Sequence, residues 1–208
     1  MKYTIIEDLE QGSQEWLECR AGVISGTRLK NVMSKQGTET RNGLFYELIA
    51  EMLTPTSEGF TSSAMEIWHI WEDIVKEKFP EYEEVGFVFW EKRWYWFSPD
   101  GIVRNEKWEI IRTLEVKTPQ AKNYVKYILE NRIPVDYKWQ VVMNFVVIDT
   151  LESLDFIIFN PDIIIEDLRI KRITVTRSDF IKEIEEAQEA LKEFREEWLE
   201  LLQKLRSK

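Results

Sequence analysis

The chain has 208 residues but only one cysteine, Cys19, and one histidine, His69. A single cysteine excludes a disulfide framework and any four-cysteine zinc or iron–sulfur centre, and it fits a reducing compartment. Positive charge is also scarce: 28 Lys and Arg stand against 38 Asp and Glu, a formal net charge of −10. A chain of that sign does not bind nucleic acid through its whole surface, so any such contact must rest on local positive clusters. Long apolar runs are missing. "VVMNFVVI" at 141–148 is the longest nearly apolar stretch, far too short to span a bilayer. The opening "MKYTIIEDLEQGSQEW" is acidic, has no apolar segment and is not read as a signal peptide. These features predict a cytoplasmic protein with no membrane partner. There is no internal repeat, low-complexity tract or linker.

Hydrophobic residues make up 44% of the chain, which argues against disorder, and the length suits one domain over 1–208 with an ample core. "GSQEWLECRAGV" predicts a helix capped by Ser13, with Trp16 and Leu17 facing inward. "SGTRLKNVM" predicts a second helix start with Thr27 as cap. Over 64–79 the apolar residues recur with a helical period. "VGFVFW" and "RWYWFS" read as strands joined by a tight turn, and "KWEIIRTLEVKT" as a strand after the polar turn "RNEK". "LDFIIFN" and "RIKRITVT" are further strands. From Ile181 to Leu205 apolar residues return every three or four positions, the mark of a long amphipathic C-terminal helix. The segment 137–147 favours a strand on propensity alone. The order predicts a mixed α/β domain.

Three charged residues interrupt this pattern in "FSPDGIVRNEKWEIIRTLEVKTP". Alternation puts Glu115 and Lys117 on one face of a strand, with Leu114 and Val116 on the other. Asp100 follows Pro99, which ends the preceding ladder. If the two strands pair through "RNEK", Asp100 lies near Glu115. Two carboxylates at close range repel, and a divalent cation removes the repulsion. Mg²⁺ suits carboxylates, waters and a phosphate, and Lys117 alongside would position a water for phosphodiester hydrolysis. The other reading is plain: Pro-Asp-Gly is an ordinary turn, and a Glu–Lys pair two apart is an ordinary solvated strand face. Spacing alone leaves both open.

"SPDG" followed by "LEVKTP" is similar to the PD-(D/E)XK nuclease motif. "GSQEWLECRAGVISGT", from Gly12 to Thr27, resembles the opening pattern of the phage lambda exonuclease or YqaJ-like viral recombinase family. "ETRNGLFYELIAEMLTP", "EGFTSSAME", "EEVGFVF", "NRIPVDYKWQVVMNF" and "FNP" follow in the family's order. The resemblance spans nearly the whole chain. It implies a restriction-endonuclease-like core, a central mixed sheet flanked by helices. It implies a DNA exonuclease using Mg²⁺, with Mn²⁺ able to substitute, on duplex DNA with a free 5′ end. It further implies a homo-oligomer, a trimeric ring, working beside a single-strand annealing protein. Asp100 and Glu115 would be metal ligands with the carbonyl of Val116, and Lys117 would orient the attacking water. Glu72 matches a helical glutamate beside the metals, and Gln140 a glutamine near the scissile phosphate, which makes 137–147 a helix. Arg20, Thr27, Ser98 and Arg28 are the candidate DNA or phosphate contacts.

Local charge agrees. Between residues 20 and 41, Arg20, Arg28, Lys30, Lys35 and Arg41 face Glu39 alone. An ordinary charged helix face remains open for Lys30 and Lys35, a simple cap for Thr27, and a solvated helix position for Glu72. Relatives carry Gly where this chain has Trp68, and small residues where it has "WYWF". The aromatics Trp90, Trp94, Tyr95 and Trp96 read as core, with base stacking by one ring as the alternative. A catalytically silent DNA-end-binding protein and a structure-specific endonuclease are the competing functions.

Overall fold

A computed structural model describes residues 3–7, 13–54, 71, 73–90 and 94–207. Among these residues, the strands form two mixed four-stranded sheets. The first has the order β1 (Tyr3–Ile6), β3 (Phe87–Trp90), β4 (Tyr95–Phe97), β2 (Ile24–Ser25). The second has the order β5 (Gly101–Arg104), β6 (Ile110–Lys117), β7 (Ser153–Phe159), β8 (Ile170–Thr176). In the second sheet β6 and β7 run parallel, flanked by antiparallel β5 and β8. A parallel pair needs a crossover. Helices α4 (Ala121–Glu130) and α5 (Lys138–Val147) supply it.

The N-terminal part holds α1 (Gln14–Arg20), a 3₁₀ turn at Gly26–Arg28, α2 (Leu29–Val32) and α3 (Glu39–Leu53). Ser13 caps α1 as expected, its hydroxyl accepting from the Trp16 N–H at 3.2 Å. Trp16 is buried and Leu17 partly so. Thr27 does not cap a helix. It lies inside the 3₁₀ turn, and Ser25 holds the position before that turn. Of the predicted helix over 64–79, Trp71 and residues 73–76 are described and helical. The helix ends there, and residues 77 and 78 form a turn. Residues 64–70 and 72, with Trp68, His69 and Glu72, lie outside the described residues, as does the predicted loop "TSEGFTSS".

The pairing partner of β6 is not the "RWYWFS" strand. That strand ends at Phe97, and a short separate strand, "GIVR", pairs with β6 through the "RNEK" turn. Proline at 99 separates the two, because it cannot donate to a ladder.

α5 is helical despite its valines. Every residue from Val141 to Val147 is buried. A helix apolar all round belongs in a core, and burial outweighs the weak strand preference of valine. α5 runs antiparallel to β6. At one end the Lys117 ammonium lies 5.8 Å from the Tyr137 ring centroid. At the other, the Thr150 hydroxyl donates to the Ile110 carbonyl at 2.8 Å. The Arg177 guanidinium holds that end, donating to the carbonyls of Phe145, Ile148 and Leu151.

The C-terminal helix α6 (Ile181–Arg206) packs back on its own chain through Ile184, Ala187, Leu191, Phe194 and Trp198. Phe194 stacks on Phe45 with centroids 4.1 Å apart, and Trp198 meets Trp94 edge-on at 5.1 Å. Trp96 is buried as predicted, while Trp90, Trp94 and Tyr95 are only partly covered.

Candidate active site

β6 splits its side chains between two environments. Leu114 and Val116 enter an apolar cluster with Val75, Ile157 and Phe159. Thr113, Glu115 and Lys117 project from the opposite face, towards α5. Glu115 is 2% exposed and Lys117 8%, so this is not a solvated strand face.

Asp100 reaches the same place from β5. Gly101 pairs with Leu114, and one further step in that antiparallel register sets Asp100 opposite Glu115. The Asp100 N–H donates to the Leu114 carbonyl at 3.0 Å, and its Oδ2 accepts the Val116 N–H. Gly101 is required by space: a Cβ there would lie 2.8 Å from the Tyr82 Cβ. The "PDG" segment is thus a turn and a carboxylate mount together.

The Glu115 carboxylate is used unevenly. Its Oε1 accepts from both the Lys117 Nζ and the Gln140 Nε2. Among the described residues its Oε2 has no hydrogen-bond donor, and neither has Asp100 Oδ1. Burial, with the Asp100 carboxylate adding to it, pushes the Glu115 carboxyl up to about 7 against the pull of Lys117. Burial alone would lower the Lys117 ammonium, but Glu115 and Asp100 together hold it above its ordinary value. Lys117 is therefore a cation at neutral pH, suited to orienting or stabilising charge rather than to accepting a proton. Two carboxylates with one free oxygen each, one of them penalised by burial, form a donor set that fits a small hard divalent cation. Among the described residues, no group of three His, Cys, Asp or Glu side chains gathers. Glu72 lies outside them.

The four DNA-contact candidates have unequal surroundings. The Arg20 guanidinium lies 3.9 Å from the Trp16 ring centroid and 5.4 Å from that of Trp96. Among the described residues no carboxylate bonds to it. Burial, then Arg28, lower its pKa, yet it remains a guanidinium. Thr27 is exposed, its hydroxyl 3.0 Å from that of Ser25. Gly26 brings this turn onto α5: a Cβ there would be 3.6 Å from the Gln140 Cγ. Arg28 is instead ion-paired with Glu47 and Glu51. The Ser98 hydroxyl donates to the Gly86 carbonyl at 2.7 Å, tying β4 to the start of β3. The positive strip is thinner than its sequence implies, since Arg41 is buried and paired with Glu197 at 2.8 Å. Lys30 and Lys35 are exposed. Tyr137, beside Lys117, is a neighbour that sequence reasoning missed. Its signal was a spacing of three from Gln140, which puts both on one helix face.

A carboxylate pair with an adjoining lysine is thus mounted on a hairpin of a mixed sheet, the arrangement that the resemblance to the PD-(D/E)XK motif implied. The YqaJ-like viral recombinase domain model matches residues 15–151. The chain belongs to that family. In fold it is similar to an alkaline exonuclease, LHK-Exo, from Laribacter hongkongensis. That match has 23% identity and a TM-score of 0.73, covering 94% of this chain and 99% of the other. The same enzyme solved in complex with dAMP matches at 22% identity and a TM-score of 0.74, with 94% and 99% covered. A phage-related exonuclease from Haemophilus somnus 129PT matches at 13% identity and a TM-score of 0.58, covering 91% and 99%. No functionally curated protein matches the chain.

Proposed function

We propose that the protein is a metal-dependent DNA exonuclease formed by a single nuclease domain. It hydrolyses phosphodiester bonds from DNA ends in recombination or DNA processing. The observation that carries this reading is the convergence of Asp100, Glu115, Lys117 and Gln140 across a hairpin and a core helix. Family membership and the exonuclease names of two fold relatives support it.

Asp100 Oδ1, Glu115 Oε2 and the Val116 carbonyl would hold Mg²⁺, or Mn²⁺ in its place, with Glu72 as a further ligand. The ion would supply Lewis-acid polarisation of the phosphate and a more acidic water. The chain's own residues do the rest. Lys117, fixed by Glu115, presents an ammonium that orients the attacking water and offsets charge on the phosphate. Gln140 holds Glu115 Oε1 in place, so that the other oxygen keeps its direction. Arg20, presented from the Trp16 face, and Thr27 receive the terminal phosphate or neighbouring backbone. Ser98 and Arg28 support those elements from behind through the bonds they already make.

The finer reading is digestion of duplex DNA from the 5′ end by a ring-shaped trimer. A single-strand annealing protein would be its partner, in the cytoplasm of a virus-infected cell. Duplexes carrying a label at either end, incubated with and without Mg²⁺, test activity, cofactor and direction together. The expected result is metal-dependent release of nucleotides from the 5′ end, lost in Asp100→Ala. Binding without release would identify an end-binding protein instead, and cutting of closed circular DNA an endonuclease.

A further inference from the structure

Among the described residues, two buried polar atoms beneath the site have no partner. Thr113 and Asn144 are both fully buried. Thr113 Oγ1 and Asn144 Oδ1 have no hydrogen-bond partner among the described residues. A buried polar atom left unpaired is costly, and these two belong to the strand and the helix that carry Glu115 and Gln140.

Their places in the fold relate them. Thr113 precedes Glu115 by two on the same strand face, about 6.6 Å along β6. Asn144 follows Gln140 by one helical turn, about 6 Å along α5. Because α5 runs antiparallel to β6, the two steps go in the same direction. Lys117 lies by Tyr137, Glu115 bonds Gln140, and Ile110 bonds Thr150. Thr113 and Asn144 therefore form the next rung below Glu115 and Gln140. Asn144 is already engaged upward, its Nδ2 donating to the Gln140 carbonyl at 3.0 Å. That bond fixes which end of the amide is oxygen and points it away from Gln140.

We infer that Thr113 and Asn144 are positioning residues for the site, joined through one buried water that links Thr113 Oγ1 to Asn144 Oδ1. The water donates to Oδ1 and exchanges a hydrogen bond with the hydroxyl, which satisfies both atoms. With its oxygen satisfied, the Asn144 amide holds the Gln140 turn of α5 in register with β6. Gln140 then stays on Glu115 Oε1, and Oε2 keeps its aim. Neither residue touches substrate. The inference rests on the nuclease reading above.

The test uses the full chain with Thr113→Val, Thr113→Ser, Asn144→Leu and the Val/Leu double variant. Mn²⁺ affinity is measured by calorimetry without DNA, and kcat and KM on a 5′-phosphorylated duplex. Thr113→Val and Asn144→Leu should each weaken Mn²⁺ binding and lower kcat by about tenfold, the scale typical of groups that orient metal ligands. KM for DNA should stay within about twofold, since no DNA contact is removed. Thr113→Ser, which keeps the hydroxyl, should behave as the parent. The double variant should be no worse than either single one, because both cut the same link. Folded variants with unchanged Mn²⁺ affinity and kcat, or losses that multiply in the double variant, overturn the inference while the nuclease reading stands. A parent chain that neither binds Mn²⁺ nor digests DNA overturns both. If Thr113→Val or Asn144→Leu fails to fold, a high-resolution crystal structure of the parent decides. Density for a water within hydrogen-bond distance of both atoms supports the link, and its lack there overturns it.

Discussion

Two buried carboxylates sit on neighbouring parallel strands and have opposite characters. Asp155 on β7 is paired in register with Leu114, one residue from Glu115 on β6. It faces the other side of the sheet and is fully committed. Its Oδ2 accepts from the Tyr82 hydroxyl and the Arg172 guanidinium, and its Oδ1 from the Thr174 hydroxyl. Burial alone would raise its pKa, but those donors outweigh it and hold Asp155 below the usual carboxylate range. Glu115 crowds two donors on one oxygen and has none on the other among the described residues, and it is pushed up to about 7. Burial does not separate the two. What does is whether the protein itself completes the coordination. Asp155 is a finished joint, and Glu115 is a half-made site.

The sharpest way to break this contrast is to neutralise each in turn. Glu115→Gln should lower kcat by about 10²–10³-fold, the scale of losing a preorganised charge at a reacting centre, with little loss of thermal stability. Asp155→Asn should do the reverse. It should cost about 3 kcal/mol of stability, since buried donors lose their charged acceptor, while the folded fraction retains its kcat. Denaturant titrations run beside single-turnover kinetics check both. If Asp155→Asn lowers kcat in fully folded protein, the division of roles fails.

The two also predict opposite pH responses. Asp155 has a lowered folded pKa, so its contribution is present above the unfolded value of 3.8 and is lost as pH falls below that. Glu115 has a raised folded pKa, so chelator-treated protein should lose stability as pH rises from 4.5 through about 7. Mn²⁺ or Mg²⁺ should restore the melting temperature at pH 8 and change it little at pH 5. Glu115→Gln should remove that dependence. The smallest expected effect is that of Thr174→Val, which strips one donor of three from Asp155 and should cost about 1 kcal/mol with no change in metal affinity.

Much of this was legible in the sequence, for reasons that vary by element. Alternation alone placed Glu115 and Lys117 on one face, and the "RNEK" turn brought Asp100 towards them. It did not reveal the short "GIVR" strand, because four residues after a Pro-Asp-Gly turn carry too little pattern to separate from the turn. Propensity misread 137–147, since a core helix is decided by what surrounds it. The resemblance recovered that helix, and with it Gln140. The Arg28 and Arg41 charges looked like a free strip because their partners, Glu47, Glu51 and Glu197, lie 19 to 156 positions away. Long-range neutralisation leaves no local trace.

The grip of Arg177 on the last turn of α5 has a consequence for how the enzyme can change. That guanidinium anchors the helix about 10 Å from Gln140, with the whole span sealed in the core. A core helix held at its far end slides or turns only as a body. Substitutions near the junction of β8 and α6 can therefore detune hydrolysis without approaching DNA or metal. Divergence among homologues at that remote corner would then show up as differences in turnover.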